Sequence, residues 1–139
     1  MNYIKNFKDW FEKKATLDAR MAIYSFKAGE VWWCSMGINI GSEIDGKNSA
    51  LQSDKQFFAR PVIIIKKVSR TSCIVIPTTS QSKVGSWFFP ISFDSRHSHA
   101  VLPQIRMIDS RRLQRRIVQL SDTKLQQIIR AMTQFLMQK

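Results

Sequence analysis

Residues 73–83 read CIVIPTTSQSK, an apolar run rich in β-branched residues that reaches a proline and continues as hydroxyl and amide side chains and a lysine. Short apolar runs bounded by turn residues are typical of buried strands. Polar turns after strands are ordinary, but this one contains no acidic residue. The segment therefore predicts a buried strand and leaves open what its acid-free end is for.

Similar β-rich runs recur from residue 30 to residue 120, separated by Gly, Pro, Ser and Asp. They read EVWWCSM, PVIIIKK, SWFFPISF, HAVL, QIRMI and RRIVQL. Many short strands with turn residues between them indicate a small antiparallel barrel. The long interruption, residues 41–59, is polar enough to be a loop. We therefore predict a mainly β (α+β) domain, in a chain whose 139 residues suffice for one core.

Helices are predicted at both ends of this barrel. Residues 3–20 have a helical period with one apolar side, which consists of Ile4, Phe7, Trp10, Phe11 and Leu17. We expect this helix to dock on its own domain rather than on a membrane. Near the C-terminus, Ser121 suits an N-cap and Asp122 suits the positive end of a helix dipole. The apolar stripe of this second helix consists of Leu125, Ile128, Met132 and Leu136.

Net charge is the most informative bulk property. The chain has 22 Lys and Arg against 10 Asp and Glu, which gives +12 and a pI near 10.2. Such a basic excess in a small domain favours a polyanionic partner, most commonly nucleic acid. Acidic proteins, anionic membranes and a merely solvated basic surface are the alternatives.

The sequence also bears on cofactors and compartment. Cys34 and Cys73 lie in apolar strand-like segments, so we expect buried thiols rather than a disulfide. No Cys or His spacing is typical of a metal site, and neither a metal nor a cofactor is expected. No apolar run approaches the roughly 20 residues that span a bilayer, and the N-terminus lacks the apolar centre of a signal peptide. We therefore expect a cytoplasmic protein with no membrane partner.

Three polar segments flank the predicted strands and could meet on one rim of a small barrel. GSEIDGK (41–47) leaves the first strand, ARPV (59–62) enters the second, and IPTTSQSK (76–83) leaves the third. Together they bring an arginine, a carboxylate and a row of hydroxyls to one place.

These segments, together with GEVWW (29–33), QIR (104–106), ID (108–109) and RRL (111–113), look like the successive motifs of one family. From about residue 29 into the last helix, the chain resembles the MazF/PemK ribonuclease toxins of bacterial toxin–antitoxin systems. The resemblance implies an SH3-like barrel of the CcdB/PemK type. It also implies a single domain over residues 1–139, with 1–26 as a helical extension and 27–139 as the barrel and C-terminal helix.

The resemblance further implies a homodimer that cleaves single-stranded RNA at short sequence motifs, without a metal. A cognate antitoxin would neutralise it, and DNA binding together with the antitoxin is a further implication. Arg60 and Thr79 fall on the positions that family members use for catalysis, and Glu43 falls on an acidic position that borders the RNA site. The chain departs from compact members in two respects: Glu43 and Arg60 are 17 residues apart, and the N-terminal helix is extra.

The proposed chemistry can be checked against the residues themselves. Cleavage of RNA through its own 2′-hydroxyl needs a stabilised phosphorane charge, a base and an acid. Arg60 suits the first role because a guanidinium holds phosphate oxygens in pairs and stays charged. Thr79 would bind a phosphate oxygen or the 2′-hydroxyl, and Glu43 would be the base. RNA contacts are predicted for Ser80, Gln81, Ser82, Lys83 and Lys47. This interpretation explains why residues 77–83 contain no acidic side chain, because a carboxylate there would repel phosphate.

Other residues have competing interpretations. His97 and His99 point the same way on a strand, as an acid and base pair would, but we expect them to face solvent. Arg106 and Asp109 are predicted to pair. The arginines predicted to form basic surface are Arg111, Arg112, Arg115 and Arg116. The aromatic residues predicted to be core, dimer interface or a rim residue that stacks a base are Trp32, Trp33, Trp87, Phe88 and Phe89.

Two other functions remain as alternatives. The same barrel could serve as a non-catalytic module that binds nucleic acid or protein, because a fold alone does not confer activity. It could also belong to a gyrase-directed toxin, although such a toxin has no need of the Arg60 and Thr79 pair.

Overall fold

A computed structural model describes residues 4–46 and 58–139 of the chain. Within them, the strands are β1 (Glu30–Ser35), β2 (Ala59–Ser69), β3 (Ser72–Thr79), β4 (Phe88–Phe93), β5 (Arg96–Val101), β6 (Arg106–Asp109) and β7 (Leu113–Gln119). They form one antiparallel sheet in the order β4-β5-β3-β2-β1-β7, and β6 pairs with β3. The strands coincide with the apolar runs of the sequence, so the predicted mainly β fold is confirmed.

The central strands are apolar without alternation because both faces of the sheet are covered. In β2, Val62 and Ile64 belong to one buried cluster, whereas Ile63 between them belongs to another on the opposite face. Successive side chains of a strand point to opposite faces, so an unbroken apolar run fits a strand that is buried on both. Strand β3 pairs with β2 through Val62–Pro77 and Ile63–Ile76. The stretch around residue 75 is therefore the middle of the sheet.

Both cysteines lie in the first of these clusters, as predicted. Cys34 and Cys73 are fully buried and are not joined by a disulfide. Burial raises the pKa of the Cys34 thiol to about 12 and that of the Cys73 thiol to about 11. Both side chains therefore stay protonated at neutral pH and act as small apolar residues.

The C-terminal helix α2 (Asp122–Met137) covers the second cluster. The Ser121 side chain accepts a hydrogen bond from the Lys124 backbone N–H at 3.1 Å, so the predicted N-cap is confirmed. Leu125, Ile128 and Met132 are buried as predicted. The prediction for Leu136 is wrong, because this side chain is exposed and Phe135 packs against the cluster instead.

The N-terminal helix α1 (Phe7–Ala19) packs on the rest of the domain with fewer buried side chains than its sequence predicts. Of the five residues assigned to its apolar side, only Trp10 and Leu17 are buried; Ile4, Phe7 and Phe11 are exposed. The Trp10 ring lies edge-on to Phe58, with 5.6 Å between ring centroids. It also sits on Gly37, where an added β carbon would lie 2.1 Å from Trp10 Cε2. The helix therefore packs mainly through Trp10 and Leu17, which share a buried cluster with Ile38 and Phe58.

The structure covers part of the predicted loop 41–59. Residues 41–46 form turns that pack back on the chain, and the Gly46 N–H donates to the Gly37 carbonyl at 2.8 Å. Strand β2 then begins at Ala59. Lys47, a predicted RNA contact, lies outside the described residues. Neither α1, with 13 residues, nor α2, with 16, is long and apolar enough to cross a membrane.

Candidate active site

Arg60 and Thr79 line one cavity because β2 and β3 run antiparallel. Arg60 lies two residues before Val62 on β2, and Thr79 lies two residues after Pro77 on β3, the partner of Val62. The cavity at this edge of the sheet has a volume of about 370 Å³, within the range of small-molecule sites. The residues that line it are Ser42, Ile44, Arg60, Thr79, Ser80, Gln81, Lys83, Trp87, Phe88, Val101, Pro103 and Gln104.

The guanidinium of Arg60 is fixed by backbone carbonyls. Its Nε donates to the Asp45 carbonyl at 2.9 Å, and its Nη1 donates to the Thr78 carbonyl at 3.1 Å. These acceptors belong to the segment 41–46 that follows β1 and to the end of β3, so the Arg60 side chain connects the two. Both carbonyls are neutral acceptors that orient the guanidinium.

The two threonines of the PTT motif have different roles. Thr78 is buried, and its hydroxyl donates to the Pro61 carbonyl at 2.9 Å, which ties β3 to β2. Thr79 faces the cavity, and its Oγ1 accepts a hydrogen bond from the Gln81 N–H at 3.3 Å. A threonine oxygen that accepts from the residue two positions on stabilises a tight turn. This turn brings Ser80 and Gln81 to the cavity.

The polar fringe after β3 supplies most of the predicted RNA contacts. Ser80, Gln81 and Lys83 line the cavity, whereas Ser82 is exposed on the same turn and is not part of the lining. The described lining contains two cations and no carboxylate. An anion placed here would meet positive charge and hydrogen-bond donors, with no carboxylate among the described lining residues.

Glu43 lies beside this cavity rather than in it. It lines an adjoining cavity of about 400 Å³ together with Asn39, Ile105 and Arg106. The two cavities share Ser42, Ile44, Pro103 and Gln104. Glu43 is exposed, and its Oε1 accepts a hydrogen bond from the Ile40 N–H at 2.9 Å. Arg60 and Thr79 therefore line the same cavity, and Glu43 lines the adjoining one.

The sequence assigned no individual role to Gln104, and it gave Trp87 and Phe88 only as two of five aromatic residues that could be core, dimer interface or a rim residue. Gln104 clamps the turn through both ends of its amide: Nε2 donates to the Ser42 carbonyl at 3.2 Å and Oε1 accepts from the Ile44 N–H at 3.1 Å. Trp87 is 58% exposed and lines the cavity together with Phe88. Both residues follow Gly85-Ser86 at the start of β4, which suggests a position near a turn. The sequence could not distinguish them from the other three aromatic residues as the ones that line the site.

The two histidines have different environments. His97 is exposed, as predicted, and its Nδ1 lies 3.1 Å from Ser92 Oγ. The expectation of a solvent-facing side chain is wrong for His99, which is only partly exposed and lies opposite Thr79 in the β3–β5 ladder. Its Nδ1 is buried and has no hydrogen-bond partner among the described residues. Those residues also contain no group of three His, Cys, Asp or Glu side chains that could hold a metal ion.

Of the four arginines predicted to form basic surface, Arg115 and Arg116 are exposed as predicted, whereas Arg111 and Arg112 are only partly exposed. Asp109 pairs with Arg111 at 3.1 Å rather than with Arg106. Arg112 donates to the Ser35 carbonyl at 3.0 Å, and burial together with the charge of Arg106 lowers its pKa. Arg116 binds the buried Glu30 carboxylate at 3.0 Å, and Arg115 is exposed as predicted.

A cavity of about 440 Å³ lies between α1 and the turn from β6 to β7. It is lined by Phe11, Lys14, Ala15, Leu17, Asp18, Asp109, Arg111 and Arg112. Its cations are mixed with two carboxylates, and one of these already binds Arg111. It is therefore a poorer site for a phosphate than the cavity of Arg60 and Thr79.

Comparison with known proteins assigns the chain to a family. Residues 27–136 match the family described as PemK-like, MazF-like toxin of type II toxin–antitoxin system. No curated protein sequence is similar enough to count as a match.

Among solved structures, MazF from Deinococcus radiodurans is 16% identical, with a TM-score of 0.63, over 82% of this chain and 98% of that chain. An endoribonuclease in complex with its cognate antitoxin, from a mycobacterial species, is 12% identical, with a TM-score of 0.56, over 81% of this chain and 95% of that chain. At these identities the two structures show a shared fold. The family match extends over most of the chain, which therefore belongs to the PemK-like, MazF-like toxins of type II toxin–antitoxin systems.

Proposed function

We propose that this chain is an endoribonuclease toxin that cleaves single-stranded RNA at short sequence motifs without a metal ion. The observation that carries the proposal is a cavity whose described lining includes Arg60, Thr79 and Lys83 and contains no carboxylate. Family membership and the likeness to an endoribonuclease support the same activity.

In the proposed reaction, the RNA 2′-oxygen attacks the adjacent phosphorus and the bond from phosphorus to the 5′-oxygen breaks. The products are a 2′,3′-cyclic phosphate and a 5′-hydroxyl, and the leaving 5′-oxygen takes its proton from water. Arg60 stabilises the charge that develops on the phosphorane oxygens, because its fixed guanidinium needs no reorganisation during the reaction. Thr79 donates a hydrogen bond to a phosphate oxygen while its own oxygen accepts from the Gln81 N–H.

Glu43 takes the proton of the 2′-hydroxyl in this proposal. Its place in the adjoining cavity means that the RNA must extend across the shared wall of Ser42, Ile44, Pro103 and Gln104. A strand that does so leaves one nucleotide beside Trp87 and Phe88, where a base can stack on an exposed indole. Lys83 and Lys47 are then proposed to contact the flanking phosphates.

An acidic antitoxin segment is the proposed protein partner, because a +12 chain attracts a polyanion of either kind. RNA and antitoxin should then compete for the same surface. The family resemblance further supports a homodimer and a cytoplasmic location, which sedimentation equilibrium and cell fractionation would test.

The deciding experiment is cleavage of a long single-stranded transcript in excess EDTA. We expect cleavage at a small set of sites, with 2′,3′-cyclic phosphate and 5′-hydroxyl ends. Activity that is lost with the chelator and restored by Mg²⁺ would contradict the metal-free mechanism. RNA binding without cleavage would favour the non-catalytic module, and inhibition of DNA supercoiling without RNA cleavage would favour a gyrase-directed toxin.

A further inference from the structure

Lys5, in the segment that precedes α1, reaches the turn next to the proposed active site. Its Nζ donates to the Asn39 carbonyl at 2.5 Å and to the Gly41 carbonyl at 3.2 Å, and it lies 3.5 Å from Asp45 Oδ2. The Lys5 ammonium thus contacts three residues of the segment 39–45. Lys5 lies outside the residues 27–136 that match the toxin family.

Asp45 connects Lys5 to Arg60. Its carboxylate is buried, with Oδ2 facing Lys5 and Oδ1 accepting from the Asn39 N–H at 2.6 Å. The backbone carbonyl of the same residue accepts the Arg60 Nε–H at 2.9 Å. A shift of Asp45 would therefore move one of the two backbone carbonyls that orient the Arg60 guanidinium.

The rest of α1 fixes the position of Lys5. Asn6 caps the helix by accepting from the Asp9 N–H at 3.1 Å, and Trp10 sits on Gly37 four residues before Gly41. The helix is thus attached two residues before the segment that Lys5 holds, through a contact that is independent of charge. The ammonium is therefore delivered to the turn in a defined place.

We propose that Lys5 is a positioning residue for the reaction, acting on Arg60 through the turn that contains Asp45. The inference rests on the proposed ribonuclease function for its kinetic consequences. It gives the N-terminal extension a role in catalysis, although no atom of Lys5 has to touch the RNA.

The kinetic test compares Lys5→Met with Lys8→Met, a change of the same size at an exposed lysine of α1. Displacement of a catalytic group by about 1 Å can lower a rate by about 100-fold. We expect Lys5→Met to lower kcat by about 10- to 100-fold with little change in KM, and Lys8→Met to leave both unchanged. Lys5→Arg should restore most of the rate, as should ethylammonium added to Lys5→Ala.

The double variant tests the route through Arg60. In an Arg60→Ala background, Lys5→Met should cause little further loss, because the group that it positions is already absent. A loss of the same factor in both backgrounds would overturn the inference. So would a Lys5→Met enzyme whose kcat equals that of Lys8→Met.

An NMR measurement keeps the inference separate from the proposed function. The Arg60 Nε–H resonance, identified by its absence in Arg60→Lys, should exchange slowly with water in the wild type and at least tenfold faster in Lys5→Met. A wild-type protein that does not cleave RNA would remove the proposed function, and the exchange rate would still decide whether Lys5 positions Arg60. An unchanged exchange rate would refute the positioning role.

Discussion

Replacement of Arg60 by alanine tests the proposed active site most directly. If the guanidinium stabilises the phosphorane, its loss should cost about 3–4 kcal/mol of transition-state stabilisation, which corresponds to a fall in kcat of about 10²–10³. RNA affinity should weaken much less, because the interaction is strongest in the transition state. Arg60→Lys should recover little of the rate, since an ammonium keeps the charge but loses the planar donors.

The structure adds a second consequence of the same change. Arg60 also holds the carbonyls of Asp45 and Thr78, and hydrogen bonds to charged groups contribute roughly 1.5–3 kcal/mol each. Water at the cavity can replace part of this, so we expect a loss of about 1.5–3 kcal/mol in the free energy of unfolding. For a chain of this size, Tm should fall by about 5–10 °C.

The assay should therefore separate folding from chemistry. Single-turnover cleavage of a labelled transcript at 20 °C gives the rate, filter binding gives the RNA affinity, and thermal unfolding gives Tm. His97→Ala is the control variant, because His97 is exposed and the side-chain hydrogen bond described for it is to Ser92. Thr79→Ala should also slow cleavage, and the double variant should lose less than the product of the two effects. An Arg60→Ala enzyme that is folded and cleaves within threefold of the wild-type rate would refute the assignment.

Three further predictions concern groups around the site and in the fold. Glu43→Gln should lower kcat by about 10²-fold and remove the acidic limb of the pH–rate profile, as expected for a lost base; an unchanged profile would exclude Glu43. Burial alone would raise the pKa of Glu30, but hydrogen bonds from Trp32, the Lys27 N–H and Arg116 lower it. Its stabilising contribution should therefore be complete above the ordinary carboxyl pKa of about 4.3 and disappear as pH falls through the lowered value, so urea unfolding should show a Glu30→Gln penalty at pH 6 that shrinks by pH 3. Gly37→Ala should cost more than about 2 kcal/mol, because it adds a clash with Trp10 to the strain of a positive φ, whereas Gly41→Ala, with open space around it, should cost about 1 kcal/mol; equal melting temperatures would contradict this account.

The strands and the Arg60–Thr79 cavity could be predicted because they depend on local pattern and strand direction. Apolar runs separated by turn residues specify strands, and an antiparallel hairpin necessarily brings the start of β2 beside the end of β3. The contacts of Gln104 could not be predicted in the same way. Its amide meets Ser42 and Ile44 across about 60 residues of sequence, and nothing in its local sequence indicates this approach.

The helical stripe of α1 shows why periodicity overestimates burial. A period of 3.6 residues identifies which side chains share a face, but it does not say how wide a surface the partner offers. Trp10 meets a glycine and Leu17 is also buried, while Phe7 and Phe11 stay exposed. The sequence also does not predict where the Glu43 side chain points. Its carboxylate accepts a hydrogen bond from the Ile40 N–H within its own turn.

Several cationic side chains of this chain are oriented by backbone carbonyl groups. Arg60 and Arg112 donate to backbone carbonyls, and so does Lys67, whose Nζ lies 2.5 Å from the Tyr24 carbonyl. A neutral carbonyl orders a cation without cancelling its charge, whereas a carboxylate partner would do both. A phosphate that reaches the cavity therefore meets a guanidinium that these backbone carbonyls have already oriented. Such preorganisation is what a site needs if it is to stabilise charge in the transition state rather than merely attract an anion.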